Sequence, residues 1–175
     1  MTLSHFRFPT SICFGVNAIS QISAFLKRAG VKRPLIVCDQ NLTNLPPMQK
    51  LIRHCREGGL SYLVHHDSQG NPTLDHVSSG VESFKTHEAD SIISIGGGCA
   101  LDVGKAVALM VHHPGHLFDY EDGKKEAPPI VPKKLPFTVA IPTTSGTGSE
   151  VGGSSVISCP TTGRKIIIWG ESLIP

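Results

Sequence analysis

Three consecutive glycines, Gly96-Gly97-Gly98, stand between the apolar run Ser91–Ile95 and a second apolar stretch that begins at Ala100. Glycine lets a backbone approach a ligand closely, and the free N–H groups at a helix N-terminus favour negative charge. The segment reads as a cradle for a nucleotide phosphate, or as a tight strand-to-helix turn. It is not the Gly-x-Gly-x-x-Gly fingerprint, because Leu101 occupies the last glycine position. In that fingerprint an acidic residue follows the glycines by about twenty positions; here the candidate, Asp39, precedes them. Asp39 closes the apolar run Leu35–Cys38. Its carboxylate is placed to accept hydrogen bonds from the two ribose hydroxyls of an adenosine and to repel a 2′-phosphate. The other reading is a turn or cap aspartate before Leu42. A third segment, Pro142 to Glu150, carries the hydroxyls of Thr143, Thr144, Ser145, Thr147 and Ser149. Hydroxyls and loop N–H groups together can bind a phosphate and a carboxamide edge; a solvated loop is the alternative.

Other chemistries find less support. No Gly-x-Ser-x-Gly elbow and no Gly-Lys-Ser/Thr of a Walker loop occurs. His112-His113-Pro114-Gly115-His116 invites a metal reading, but the Pro-Gly step prevents a single-face helical pair, and no His-Glu-x-x-His exists. These histidines, like His65-His66, read as exposed loop residues. The five cysteines are widely spaced with no Cys-x-x-Cys. They argue against a disulfide framework and a Cys-rich zinc site, and for a reduced, cytoplasmic chain. All but Cys99 read as small buried hydrophobes.

Alternating strands and helices must position these groups. Asn17 to Ala29 carries an amphipathic stripe and ends at Gly30; Leu45 to Arg56 is a second helix with Pro46 and Pro47 in its first turn. Leu74, Val77, Val81 and Phe84 repeat at helical spacing after Pro72-Thr73. Ala100 to Val111 is apolar nearly all round, which predicts a helix buried on most sides. Strands are expected at Leu35–Cys38, Leu60–Val64, Ser91–Ile95 and Phe137–Ile141. A closing hairpin is expected from Val156-Ile157 and Ile166–Trp169, and His112 to Pro136 reads as loop. This is the pattern of an α/β fold with a parallel central sheet and helices on both faces. In such sheets ligands sit beyond the carboxyl ends of the strands, where Asp39, Asn71, the glycines and the hydroxyl segment all fall.

Composition narrows the function classes. Sixteen Lys and Arg against fourteen Asp and Glu leave a net charge of +2, with no long basic run to suggest nucleic acid. No apolar run approaches the roughly eighteen residues of a membrane span. The N-terminal stretch lacks the apolar core of a signal peptide.

The motifs together resemble a known family. Gly96-Gly97-Gly98-Cys99-Ala100-Leu101-Asp102-Val103-Gly104-Lys105 resembles the GGGSxxDxxK signature of the iron-containing (group III, metal-dependent) alcohol dehydrogenases. Pro142 to Glu150 resembles that family's PTTxGTGSE. Phe14-Gly15, Asn17-Ala18-Ile19, Asn71-Pro72-Thr73, His113-Pro114-Gly115 and Asp119-Tyr120 are similar to family segments in the same order. The resemblance covers the whole chain. It implies a Rossmann-like, dehydroquinate-synthase-like NAD-binding α/β domain over residues 1–175, the N-terminal half of an enzyme that moves hydride between NAD(H) and an alcohol or aldehyde. By motif, Gly97, Gly98 and the Cys99 backbone would hold the pyrophosphate. Asp39 would contact the adenosine ribose and favour NAD over NADP, and Asn71 would lie against the cofactor. Thr143, Thr144 and Thr147 would line the phosphate and nicotinamide region, and Lys165 would reach the ribose side. Asp102, counted with the cofactor-binding residues, would sit in the first turn of the glycine-led helix.

Two departures bear on affinity: Cys99 replaces the usual serine, and Gly152 stands where a threonine is common. The family's iron or zinc is held by an aspartate and three histidines in the second half, and none of the nine histidines here matches a ligand motif. The resemblance therefore implies a cofactor-binding half without the helical metal-binding domain, inactive by itself and expected to self-associate. A stand-alone nucleotide-binding module and a dehydroquinate-synthase-like lyase fragment are the alternatives.

Overall fold

The computed structural model describes residues 9–68 and 70–175. Four helices, α1 (Ile22–Arg28), α2 (Pro46–Glu57), α3 (Leu74–Thr86) and α4 (Gly98–Met110), alternate with strands β1 (Pro34–Asp39), β2 (Leu63–Ser68), β3 (Ser91–Gly96) and β4 (Phe137–Pro142). The strands form one parallel sheet in the order β2-β1-β3-β4. A separate antiparallel hairpin pairs β5 (Ser154–Ser158) with β6 (Lys165–Trp169). No helix among the described residues is long and apolar enough to cross a membrane.

Side-chain alternation along the strands divides the core in two. Leu35, Val37 and Ile92 face a cluster that contains Val77 and Phe84 of α3 and Val103, Val107 and Leu109 of α4. Ile36, Cys38, Ile93 and Ile95 face Leu26 of α1 and Met48, Leu51 and Cys55 of α2. β1 and β3 are thus buried on both faces, which explains their unbroken apolar runs.

α4 is covered twice. The sheet lies on one side, and Ile157 and Ile168 of the hairpin join the same cluster from the other. Every residue from Ala100 to Leu109 is buried, as an all-round apolar helix requires. The crossing is close. A Cβ on Gly104 would come within 1.8 Å of Ser94 Oγ, and one on Gly80 within 2.6 Å of Val107 Cγ2.

Several boundaries differ from the sequence expectation. The helix expected over 17–29 is a 3-10 turn, Ala18–Gln21, followed by α1, because Asn17 enters it in the left-handed region at φ 63°. β2 begins three residues late. Gly59 at φ 70° and Leu60 complete a Schellman cap on α2, with Gly59 N–H on Arg56 O and Leu60 N–H on Cys55 O, so Leu60 belongs to the helix end. The hairpin strands extend beyond the apolar pairs. His65 and His113 are buried rather than loop-exposed. His113 Nδ1 lies 2.8 Å from Leu109 O while Nε2 accepts the Val131 N–H, so the ring staples the loop after α4. Cys13 is exposed, not a core residue.

Candidate functional site

Parallel strands end on one edge of the sheet, and the register aligns those ends. Cys38 pairs with Ile95 and Ile95 with Ile141, so Asp39, Gly96 and Pro142 come next in a row. The three segments singled out by their chemistry therefore meet at one place.

At its centre is the start of α4. Gly96 has φ 149°, and a Cβ there would approach Ala100 Cβ to 2.8 Å. Gly97 is the N-cap residue and no side chain caps the helix. The first intrahelical acceptor is Gly97 O, taken by the Leu101 N–H at 3.2 Å. The amides of Gly98, Cys99 and Ala100 precede it at the positive end of the helix dipole.

The hydroxyl segment folds over this end. Thr143 N–H donates to Gly96 O at 2.9 Å. Thr144 Oγ1 lies 3.3 Å from where a Gly97 Cβ would be, and Ser149 Oγ and Thr147 Cβ each lie 3.5 Å from the Gly98 position. Side chains at Gly97 or Gly98 would fill that space. Thr143 and Thr144 are exposed. Thr147 Oγ1 donates to Glu150 and accepts from Ser149 N–H, so its hydroxyl already shapes the loop.

Asp39 stands beside the cradle. Its Oδ1 accepts the Asn41 N–H at 2.7 Å, capping a 3-10 turn over Gln40–Leu42. Oδ2 has no protein partner among the described residues. Its charge reaches the cradle: burial above all, then Asp39 and Asp102, push the Cys99 thiol up to about 11. Cys99 is therefore a neutral thiol at the helix start.

Asn71 and Lys165 lie along another part of the edge. Both are exposed. Pro72 O accepts the Ser158 N–H at 2.7 Å and Thr73 bridges Ser158, while Lys165 pairs with Ser158 across the hairpin. Backbone pairing thus brings Asn71 and Lys165 around one residue, Ser158.

Asp102 departs from its expected place. It is the fifth residue of α4, beyond the first turn, and is only 7% exposed. Its Oδ1 lies 3.2 Å from Lys105 Nζ, and Oδ2 accepts the Val156 N–H. The carboxylate faces the hairpin, not the cradle. Lys105, given no role from sequence, is 3% exposed and donates to the carbonyls of Ser149, Gly152 and Ser154. Burial pulls its pKa down, against the opposing pull of Asp102 and Glu150. The signal was legible: one cation and one carboxylate, three residues apart, inside an otherwise apolar helix. Among the described residues no group of three or more His, Cys, Asp or Glu could hold a metal ion.

A family model described as iron-containing alcohol dehydrogenase matches residues 9–175. Over 173 residues the chain is 32% identical to the NAD-dependent methanol dehydrogenase of Bacillus methanolicus, covering 99% of this chain and 44% of that protein. The 1,3-propanediol dehydrogenase of Citrobacter freundii is 33% identical over 164 residues, 93% of this chain and 41% of its own. The crystal structure of sulfoacetaldehyde reductase from Bifidobacterium kashiwanohense in complex with NAD+ superposes with a TM-score of 0.87 at 28% identity, over 100% of this chain and 45% of that one. The chain spans less than half the length of these relatives. With the family model matching nearly the whole described chain, the chain belongs to the iron-containing alcohol dehydrogenase family and corresponds to the N-terminal half of its full-length members.

Proposed function

We propose that this chain binds NAD across the carboxyl edge of its sheet and serves, within a whole protein, as the cofactor domain of an alcohol dehydrogenase acting on a small alcohol or aldehyde. The observation that carries this reading is the uncapped start of α4 with a hydroxyl-bearing loop laid over it. The NAD-dependent naming of the methanol dehydrogenase relative and the NAD+ complex of the sulfoacetaldehyde reductase support it.

In this reading the amides at Gly97, Gly98 and Cys99 hold the diphosphate, where the dipole of α4 favours negative charge. A hydrogen bond to a charged group contributes about 1.5–3 kcal/mol. Asp39 offers Oδ2 to the adenosine ribose and repels a 2′-phosphate. Thr143, Thr144 and Thr147 border the phosphates and the nicotinamide side, and Asn71 and Lys165 flank the cofactor near Ser158. When bound, NAD supplies the hydride acceptor; the chain's own contribution is to bind and orient it. No step is assigned to a metal held by these residues. Free cysteines suit a reducing compartment, here read as the cytoplasm.

Calorimetric titration of the chain with NAD and NADP, beside an alcohol-oxidation assay with added ferrous or zinc ions, tests the proposal. NAD should bind, NADP more weakly, and no turnover should appear. Absence of NAD binding would sink the reading. Metal-dependent turnover by this chain would refute the assignment of catalysis to the rest of the protein.

A further inference from the structure

Asp102 and Lys105 are the only charged residues of α4, and both are buried. A charge taken out of water is retained only where partners compensate it. Apart from each other, the two find all their partners in one stretch of chain. An ammonium has three hydrogens to donate, and Lys105 Nζ faces three carbonyls: Ser149 at 3.0 Å, Gly152 at 3.2 Å and Ser154. Asp102 continues the same attachment. Its Oδ2 accepts the Val156 N–H at 3.1 Å, and its main-chain oxygen accepts the Ser155 hydroxyl at 2.8 Å. One turn of α4 thus grips residues 149–156 from end to end.

That grip lies next to the hydroxyl segment. The segment leaves the sheet with Thr143 N–H on Gly96 O and arrives at Ser149, whose carbonyl is held by Lys105. Between these two fixed ends, Gly146 and Gly148 take left-handed conformations at φ 92° and 70°. Hydrogen bonds at Thr147 shape the span from within; its two anchors set its height above the helix. Both anchors sit on the β3–α4 unit that carries the glycine turn.

We propose that Lys105, with Asp102 as its counter-charge, is a positioning residue that fixes the hydroxyl segment over the start of α4 and thereby tunes binding of the diphosphate and nicotinamide end of a dinucleotide. The pair acts from inside the protein, through the loop, without touching the ligand. The proposal rests on the reading of the cradle as an NAD site, and it gives Asp102 a structural part in place of a cofactor contact.

The test uses the 175-residue chain and two ligands, NAD and AMP, titrated separately. AMP spans only the adenosine and one phosphate. Lys105→Met leaves Asp102 buried without its partner, so the double variant Asp102→Asn/Lys105→Met, which removes both charges, is the main variant. Ser155→Ala, which removes a single hydroxyl, is the mild one. Thermal unfolding checks that each remains cooperative. The double variant should bind NAD at least tenfold more weakly and AMP within twofold of wild type. Ser155→Ala should shift NAD in the same direction by a few-fold. Amide hydrogen exchange over 143–153 should quicken in both, with β1 and β3 unchanged. Folded variants with wild-type NAD affinity, or with NAD and AMP weakened equally, would overturn the proposal. Failure of the wild-type chain to bind NAD defeats the cofactor reading instead. The exchange data then decide the grip itself, since unchanged rates over 143–153 would refute it.

Discussion

The Asp39 carboxylate acts at two places in the structure. Oδ1 caps the turn that follows β1, and the charge of the carboxylate reaches Cys99 at the start of α4. Asp39→Asn keeps the capping acceptor and removes the charge. The ratio of NADP to NAD dissociation constants should fall by roughly tenfold, the equivalent of ~1.4 kcal/mol, with little change in unfolding temperature. An unchanged ratio would reduce Asp39 to its capping role. His65 poses a different question. Its Nδ1 meets Ser83 Oγ at 3.1 Å, and Gly80 packs beside the ring. Burial pushes the imidazole below its ordinary 6.5, against the pull of Asp67. The unfolded chain therefore takes up this proton at higher pH than the folded chain. The contribution of the neutral ring is whole above 6.5 and is lost as pH falls from there through the folded value. Urea midpoints should drop between about pH 7.5 and about pH 5.5, and His65→Gln should flatten that slope. An equal slope in the variant would place the titration elsewhere.

At the level of elements, α4 depends on close approach. Gly104 leaves no room for a methyl group against Ser94. Gly104→Ala should cost about 1–3 kcal/mol through forced shifts of helix or strand, read as a lower urea midpoint at unchanged m-value; a neutral result would mean that the Ser94 hydroxyl rotates away freely. α4 also shows what the sequence could disclose. Its nearly all-round apolar run announced a helix buried on most sides, and the strand-to-glycine-to-helix order announced the edge where ligand-type residues gather. The partner that covers its outer side was not legible, because Ile157 and Ile168 reach it from some fifty residues away. Asp102 read as a first-turn carboxylate because the helix, expected from Ala100, begins at Gly98; the carbonyls that Lys105 holds lie 44 to 49 residues further along the chain. His65 and His113 were misjudged as exposed because a histidine beside a Pro-Gly or His-Asp step looks like loop. Their burial is decided by elements packed over them. Helix ends were displaced by caps such as Gly59-Leu60, whose geometry is local but leaves little trace in hydrophobic pattern.

Among the described residues, large apolar side chains remain exposed in several places, Phe25, Leu45 and Phe137 among them. Ile167 and Trp169 alternate on the outer face of the hairpin, and Trp169 is 58% exposed. On the segment before α1, Ile12, Phe14 and Val16 point into solvent, and Phe14 is 98% exposed. α4, expected from sequence to be buried on most sides, is sealed between the sheet and the hairpin. Exposed apolar patches of this kind mark association surfaces. The chain should self-associate at micromolar to millimolar concentration in sedimentation runs across a dilution series. Trp169→Ser together with Phe14→Ser should shift it toward monomer. A wild-type monomer throughout would show that these residues are tolerated singly at the surface. The strand order 2-1-3-4 has a further consequence for how the chain is made. A ribosome releases β1 and β2 first, yet β1 lies between β2 and β3, and β4 pairs only with β3. At synthesis rates of about 5–20 residues per second, an emerging chain holds β1 with one neighbour for seconds before β3 closes its other side. Throughout that interval its row of unpaired amides is open to any passing strand, so a chaperone that shields extended apolar segments has its greatest effect before residue 96 leaves the exit tunnel.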